Sequence, residues 1–88
     1  MMSVANKVRM VMGLKKKKAP AMAAAMEINA QSFRNKLTRD SFNTWDLIEI
    51  AEALGGTLLL EVEGQRVVFG LEDLPPERAG KYGGENEE

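Results

Sequence analysis

The sequence contains neither cysteine nor histidine. Without cysteine, the chain has no disulfide framework, no thiolate metal site and no cysteine nucleophile. Without histidine, it also lacks the commonest metal ligand and the commonest general base. The sequence has no glycine-rich phosphate loop and no metal-ligand spacing either. We therefore expect no enzymatic activity, no cofactor and no metal.

Long apolar runs are also lacking. No stretch approaches the ~20 apolar residues that a membrane-spanning helix needs. Lys7 and Arg9 interrupt the first apolar residues and four lysines follow them, whereas a signal peptide has its positive charges first. A basic helix lying on a membrane is an alternative, but these apolar residues are spaced to face a core. We expect no membrane partner and a cytoplasmic location.

The net charge of −1 conceals two halves of opposite sign. Residues 1–40 contain nine lysines and arginines against two acidic residues, which gives +7. Residues 41–88 contain three basic residues against eleven acidic ones, which gives −8. Charges also segregate by chance in a short chain, but this asymmetry favours a basic surface for an anionic partner.

Four helices are predicted in the first two thirds of the chain. Apolar residues at helical spacing predict a first helix over residues 3–13, and Pro20 suits the first turn of a second, alanine-rich helix. Asn29 is a favourable N-cap for a third helix over residues 30–38, as is Asn43 for a fourth. The predicted core consists of Val8, Met10, Val11, Met12, Met22, Met26, Ile28, Phe33, Leu37, Leu47 and Leu54.

The pattern changes after the fourth helix. The segments "TLLLEV" and "QRVVFG", separated by Glu63-Gly64, predict a β-hairpin. Residues 75–88 are rich in proline, glycine and glutamate, and we expect a disordered acidic tail there. The predicted fold is mainly α: a domain of four to five helices over residues 1–56, with a C-terminal β-hairpin over residues 57–74.

Three residues of the fourth helix have structural interpretations. Glu49 and Glu52 could pass for paired catalytic carboxylates, but no histidine or apolar pocket accompanies them, so an exposed acidic face is expected. Trp45 is expected to be a half-exposed packing residue, with a dimer contact as the alternative.

The tight turn Glu27-Ile28-Asn29 joins the second and third helices as in a helix-turn-helix. The segment "MAAAMEINAQSFRNKLTRDSFNTWDLIEIAEALG" resembles the Xre family of phage-repressor and Cro-like proteins. The resemblance implies a four- to five-helix, repressor-like helix-turn-helix domain over residues 1–56. The residues that carry this resemblance are Met22, Ala23, Met26, Ile28, Asn29, Phe33 and Leu37. The chain departs from the family in having Glu27 where many members have glycine, and Lys18-Ala19 where Thr-Gln is usual.

The predicted third helix carries side chains suited to reading base pairs in the major groove, and the resemblance makes it the recognition helix. Gln31 and Asn35 each offer a donor and an acceptor, which suits adenine, and Arg34 offers a planar fork for guanine. These three lie at i, i+3 and i+4, so they share one helical face. The residues predicted to contact DNA phosphates are Lys15, Lys16, Lys17, Lys18, Ser32, Lys36, Thr38 and Arg39.

One such motif contacts too few bases to find a site in a genome, so a homodimer on double-stranded DNA is expected. Leu58, Leu60, Val68 and Phe69 of the hairpin are the predicted dimer interface. Two other classes of function stay open. The chain could be an antitoxin-like or adaptor protein that binds a protein partner through its hairpin or acidic tail, or a purely structural interaction module.

Overall fold

The helices and the hairpin follow one another along a single chain, of which the computed structural model describes residues 3–83. The described elements are α1 (Val4–Leu14), α2 (Ala19–Met26), α3 (Ala30–Arg39), α4 (Thr44–Ala53), β1 (Leu58–Val62), β2 (Gln65–Phe69), a 3-10 turn (Leu71–Asp73) and α5 (Pro76–Gly83). A mainly helical fold with an antiparallel hairpin near the C-terminus is thereby confirmed.

Side-chain caps fix where three of the helices begin. Asn29 accepts a hydrogen bond from the Ser32 amide at 2.7 Å and starts α3. Asn43 accepts from the Asp46 amide at 2.8 Å, and the Asp46 carboxylate accepts from the Asn43 amide at 3.1 Å, so α4 starts with a reciprocal pair. Both predicted N-caps are confirmed. Ser3 caps α1 in the same way.

Phe33 lies at the centre of the core and is fully buried. Val8, Met12, Met22, Met26 and Leu54 are buried in the same cluster, as predicted, and Ile28, Leu37 and Leu47 are partly buried against it. The prediction is wrong for Met10 and Val11, which are exposed. The buried stripe of α1 runs through Ala5, Val8 and Met12, and an 11-residue helix buries only one such stripe on this core.

The turn between α2 and α3 contains a left-handed residue. Glu27 has φ 59° and ψ 42°, and its amide donates back to α2 carbonyls. A residue with a Cβ costs roughly 1–2 kcal/mol in this conformation, which is why glycine is favoured there. The turn therefore keeps the left-handed shape that glycine allows, although glutamate occupies it.

The hairpin projects from the helices, and we call residues 58–69 the arm. Its register pairs Leu58 with Phe69, Leu60 with Val67 and Val62 with Gln65. Side chains alternate across a strand, so Leu58, Leu60 and Phe69 share one face while Val68 lies on the other. The four residues predicted for the dimer interface therefore do not form one surface. Leu58 and Phe69, at the base of the arm, are also half-buried.

The tail prediction is wrong over residues 76–83, which form α5. Helix α5 has little apolar surface. It places Arg78, Lys81 and Tyr82 in contact with the carboxylates of Asp46 and Glu49 on α4. Ionic and hydrogen-bonding contacts therefore order a segment whose composition predicts disorder. The rest of the predicted tail, residues 84–88, lies outside the described residues.

Candidate nucleic-acid interface

The outer face of α3 carries the three residues predicted to contact bases. Gln31, Arg34 and Asn35 are all exposed. The Gln31 side-chain amide donates to Asn35 Oδ1 at 3.1 Å. This bond uses one donor of Gln31 and one acceptor of Asn35, so the two side chains together still offer donors and acceptors to another molecule. The pair is held side by side, with Arg34 next to it in sequence.

The residues predicted to contact phosphate fall into two groups. Lys15 to Lys18, in the loop between α1 and α2, are exposed, as are Thr38 and Arg39 at the end of α3. Ser32 is half-buried on the first turn of α3. The exposed residues lie in the loop before α2 and at the end of α3, and each is accessible to an anionic ligand.

Lys36 differs from the other lysines of this set. Its ammonium lies 3.0 Å from Asp46 Oδ2, and its side chain is only 30 % exposed. The cation is thus engaged inside the protein, where it joins α3 to α4. We therefore assign Lys36 to this internal contact and not to a DNA phosphate.

Contacts at several points hold α3 in place. Phe33 packs α3 against the rest of the core. The centroid of its ring lies 5.9 Å from that of the Phe42 ring. Beyond the C-terminal end of the helix, Asp40 accepts a hydrogen bond from the Ala5 amide of α1 at 2.7 Å. The sequence alone gave no sign of this contact, because it joins residues 35 positions apart. A rigid α3 can present its outer face with a defined orientation.

Behind α3 lies a group of five charged residues and one tyrosine that we call the ionic cluster: Lys36, Asp46, Glu49, Arg78, Lys81 and Tyr82. Glu49 is fully buried and Asp46 is 1 % exposed. Arg78 bridges the two carboxylates, with Nη2 2.8 Å from Asp46 Oδ1 and Nε 2.6 Å from Glu49 Oε2. The prediction that Glu49 lies on an exposed acidic face is therefore wrong, since cations from distant parts of the chain neutralise it.

Glu49 accepts two further hydrogen bonds from α5. Lys81 Nζ lies 2.8 Å from Glu49 Oε1, and the Tyr82 hydroxyl lies 2.8 Å from the same oxygen. Lys81 also donates to the Met26 carbonyl at 2.6 Å. That carbonyl belongs to the last residue of α2, so α5 is attached to both α4 and the end of α2.

The contacts in the cluster keep both carboxylates ionised. Burial by itself would raise the pKa of Asp46, but hydrogen bonds from Arg78, the Asn43 amide and Lys36 outweigh it and hold the pKa below its ordinary value. Burial likewise opposes the hydrogen bonds that Lys81, Tyr82 and Arg78 make to Glu49, whose pKa is also lowered. Burial and the Glu49 carboxylate raise the pKa of the Tyr82 hydroxyl. The cluster contains three cations and two anions, and it serves as a structural link.

Trp45 lies at the edge of the cluster. The residue is 43 % exposed, and the Arg78 guanidinium lies 5.9 Å from its ring centroid. This geometry agrees with the prediction of a half-exposed packing residue, and it adds a cation–π contact to α5.

Comparisons of the chain with family models, with curated proteins and with solved structures give no match. Among residues 3–83, no helix is long and apolar enough to cross a membrane. The same residues contain no group of three or more acidic side chains placed to hold a metal ion. The functional proposal therefore depends on the side chains described above.

Proposed function

We propose that this protein is a sequence-specific double-stranded DNA-binding regulator, a repressor of the Xre type that acts as a homodimer in the cytoplasm. In this proposal α2 and α3 form the helix-turn-helix, and α3 enters the major groove. Arg34 would read guanine, and Gln31 and Asn35 would read adenine. Lys15 to Lys18 would contact phosphates together with Ser32, Thr38 and Arg39.

The observation that carries the proposal is the exposed polar face of α3. A long arginine and two hydrogen-bonded amides lie on a helix that packing, Asp40 and Lys36 fix to the domain. The tight left-handed turn at Glu27 and the N-cap at Asn29 set the direction in which this face points. The basic loop before α2 supports the same reading, because four adjacent lysines attract a polyanion.

The decisive experiment selects bound sequences from a random pool of duplex DNA. If the proposal is right, one motif emerges, and Arg34→Ala or Gln31→Ala weakens binding to it by roughly 1–3 kcal/mol and relaxes the preference at particular base pairs. Arg34→Lys is the matched control, since it keeps the charge but removes the planar fork. It should retain binding to random DNA and lose the base preference.

A second measurement separates phosphate contacts from base contacts. Replacing Lys15 to Lys18 with glutamine should weaken selected and random DNA alike and flatten the dependence of affinity on salt. A pool from which no motif emerges, together with binding that salt does not affect, would reject the DNA-binding proposal.

An adaptor or antitoxin-like function is the second candidate, and the exposed apolar arm favours it. Leu60, Val62 and Val67 are each more than half exposed, and such patches often mark protein-binding surfaces. Under this reading a different protein would co-purify in fixed stoichiometry, and Arg34→Ala would leave that complex unchanged.

A further inference from the structure

The arm exposes more apolar surface than its own chain covers. Leu60, Val62 and Val67 lie on one face of the two-stranded ribbon, and Leu59 and Val68 lie on the other; all five are exposed. A two-stranded hairpin is marginal in water without further packing. Pairing one edge of each arm would satisfy the backbone groups along those edges, but it would leave side chains on both faces in water.

A second apolar surface lies beside the base of the arm. An open groove of about 360 Å³ runs between α1, α4 and the start of β1. Its apolar lining includes Val4, Val11, Leu47, Ile50, Leu54 and Leu58. Lys7 is the charged residue of this lining, and we call the feature the α1–α4 groove. Leu58 belongs to both the groove and the arm, so the two apolar surfaces are continuous.

The charges of these two surfaces are complementary. The arm carries Glu61, Glu63 and Arg66, a net charge of −1. Helix α1 carries Lys7 and Arg9 and no acidic residue. Glu61 and Arg66 lie on the face opposite Leu60 and Val62, where they form a loose ion pair of 3.7 Å. Glu63 lies in the turn at the tip of the arm, so an arm that docks through Leu60 and Val62 can bring this carboxylate to Lys7, which lines the groove.

The groove is long enough to take the apolar face of the arm. Leu60 and Val62 lie about 7 Å apart along an extended strand, at roughly 3.3 Å per residue. Val4 and Val11 lie about 10 Å apart along α1, at roughly 1.5 Å per residue. One apolar face of the arm can thus lie along the part of α1 that borders the groove.

We propose that the α1–α4 groove is the docking site for the arm of a second copy of this chain. Each arm lies in the partner's groove, and a two-fold axis relates the two contacts, so the assembly closes at two subunits. This arrangement buries one face of each arm and covers both grooves in one interface. The proposal rests on the homodimer of the proposed function, but it is independent of DNA binding.

Sedimentation of three charge variants gives the first test. Val11→Glu in the groove and Leu60→Glu on the arm should each weaken self-association by at least about 30-fold, as expected for a residue central to an interface. Leu14→Glu is the matched control: it lies on the same helix and is 81 % exposed, but it does not line the groove. It should remain dimeric. Because Val11 is exposed in the single chain, a charge there should not disturb the fold, and circular dichroism should show that the helices of each variant persist.

Cross-linking provides a second test that does not depend on tolerance of a charge. Because the chain has no cysteine, Val11→Cys and Val62→Cys each introduce a single thiol. A short bis-maleimide should link an equimolar mixture of the two variants into a mixed dimer and should link neither variant to itself.

Four results would overturn the proposal. Linking of Val62→Cys only to itself would show that the arms pair with each other, and the homodimer would stand without the groove contact. A monomeric parent protein would reject both the groove contact and the homodimer, while the DNA-selection experiment would still test base reading. Dissociation by Leu14→Glu, or open-ended assemblies of the parent, would show that the interface is not the closed arm-in-groove contact.

Discussion

Helix α5 and the arm have opposite compositions and lie in opposite environments. Helix α5 is short and polar, but its Arg78 and Lys81 reach two buried carboxylates and attach it to the helical domain. The arm is apolar, but most of its side chains are exposed. From composition alone, the polar α5 would be expected to lie free in solvent and the apolar arm to be buried. The comparison teaches that the partners a segment finds decide where it lies, because burying a charge costs far less when opposite charges and hydrogen bonds meet it.

The helical core that supports both regions should be the most sensitive to mutation. Phe33→Ala should lower the free energy of unfolding by about 3–5 kcal/mol, because it empties a fully buried site between the helices. Urea denaturation measures this loss. Leu14→Ala, at an exposed position, should change stability by less than about 0.5 kcal/mol. Equal effects of the two substitutions would contradict the assignment of the core.

The ion pairs of α5 and the arm offer a direct comparison. Arg78→Ala should lower the free energy of unfolding by about 2–4 kcal/mol, since it leaves Asp46 and Glu49 buried with fewer partners. Arg66→Ala removes the exposed pair with Glu61 in the arm and should cost less than about 1 kcal/mol. Chemical denaturation of both variants tests this difference. Similar losses would mean that the burial of the ionic cluster contributes nothing to its strength.

Acid should weaken the attachment of α5 before it affects the apolar contacts. The folded-state pKa values of Asp46 and Glu49 lie below their ordinary values of 3.8 and 4.5, so the folded state binds fewer protons than the unfolded state in this range. Their stabilisation is complete above about pH 5 and is lost as the pH falls through the lowered values, by up to about 1.4 kcal/mol per pH unit for each carboxyl.

Urea denaturation between pH 3 and pH 7 measures this loss. Glu49→Gln is the control, because it removes one titrating group and should make the curve flatter. A curve that Glu49→Gln leaves as steep as before would show that other carboxyls cause the acid sensitivity.

The parts of the fold predicted from the sequence are those that depend on local signals. Asn29 and Asn43 act on residues three positions away, and the Glu63-Gly64 turn joins adjacent strands. The ionic cluster depends on contacts such as Arg78 with Asp46, which are 32 positions apart, and no local pattern indicates them. The ion pair of Lys36 with Asp46 could not be predicted for the same reason. In the sequence, Lys36 is one of several basic residues of the third helix, and nothing local distinguishes it from Arg34 or Arg39.

For the candidate interface, helical spacing placed Gln31, Arg34 and Asn35 together on α3, and all three are exposed in the structure. Spacing could not reveal that two of them bind each other. For the arm, β-propensity predicted the strands, but the face of each residue depends on the register. The actual register separates Val68 from Leu60.

Trp45 should give the smallest effect and report on only one of the two regions. It is the single tryptophan of the chain, and Arg78 of α5 lies over its ring. Trp45→Leu should lower the free energy of unfolding by about 0.5–1 kcal/mol, the strength of a part-exposed cation–π contact.

With Trp45 in place, Arg78→Ala should change the tryptophan emission spectrum, because the ring loses its charged neighbour. Leu60→Glu, in the arm, should leave the spectrum unchanged even where it separates the subunits. A spectral change on dissociation by Leu60→Glu would instead place Trp45 in the dimer interface and connect the two regions.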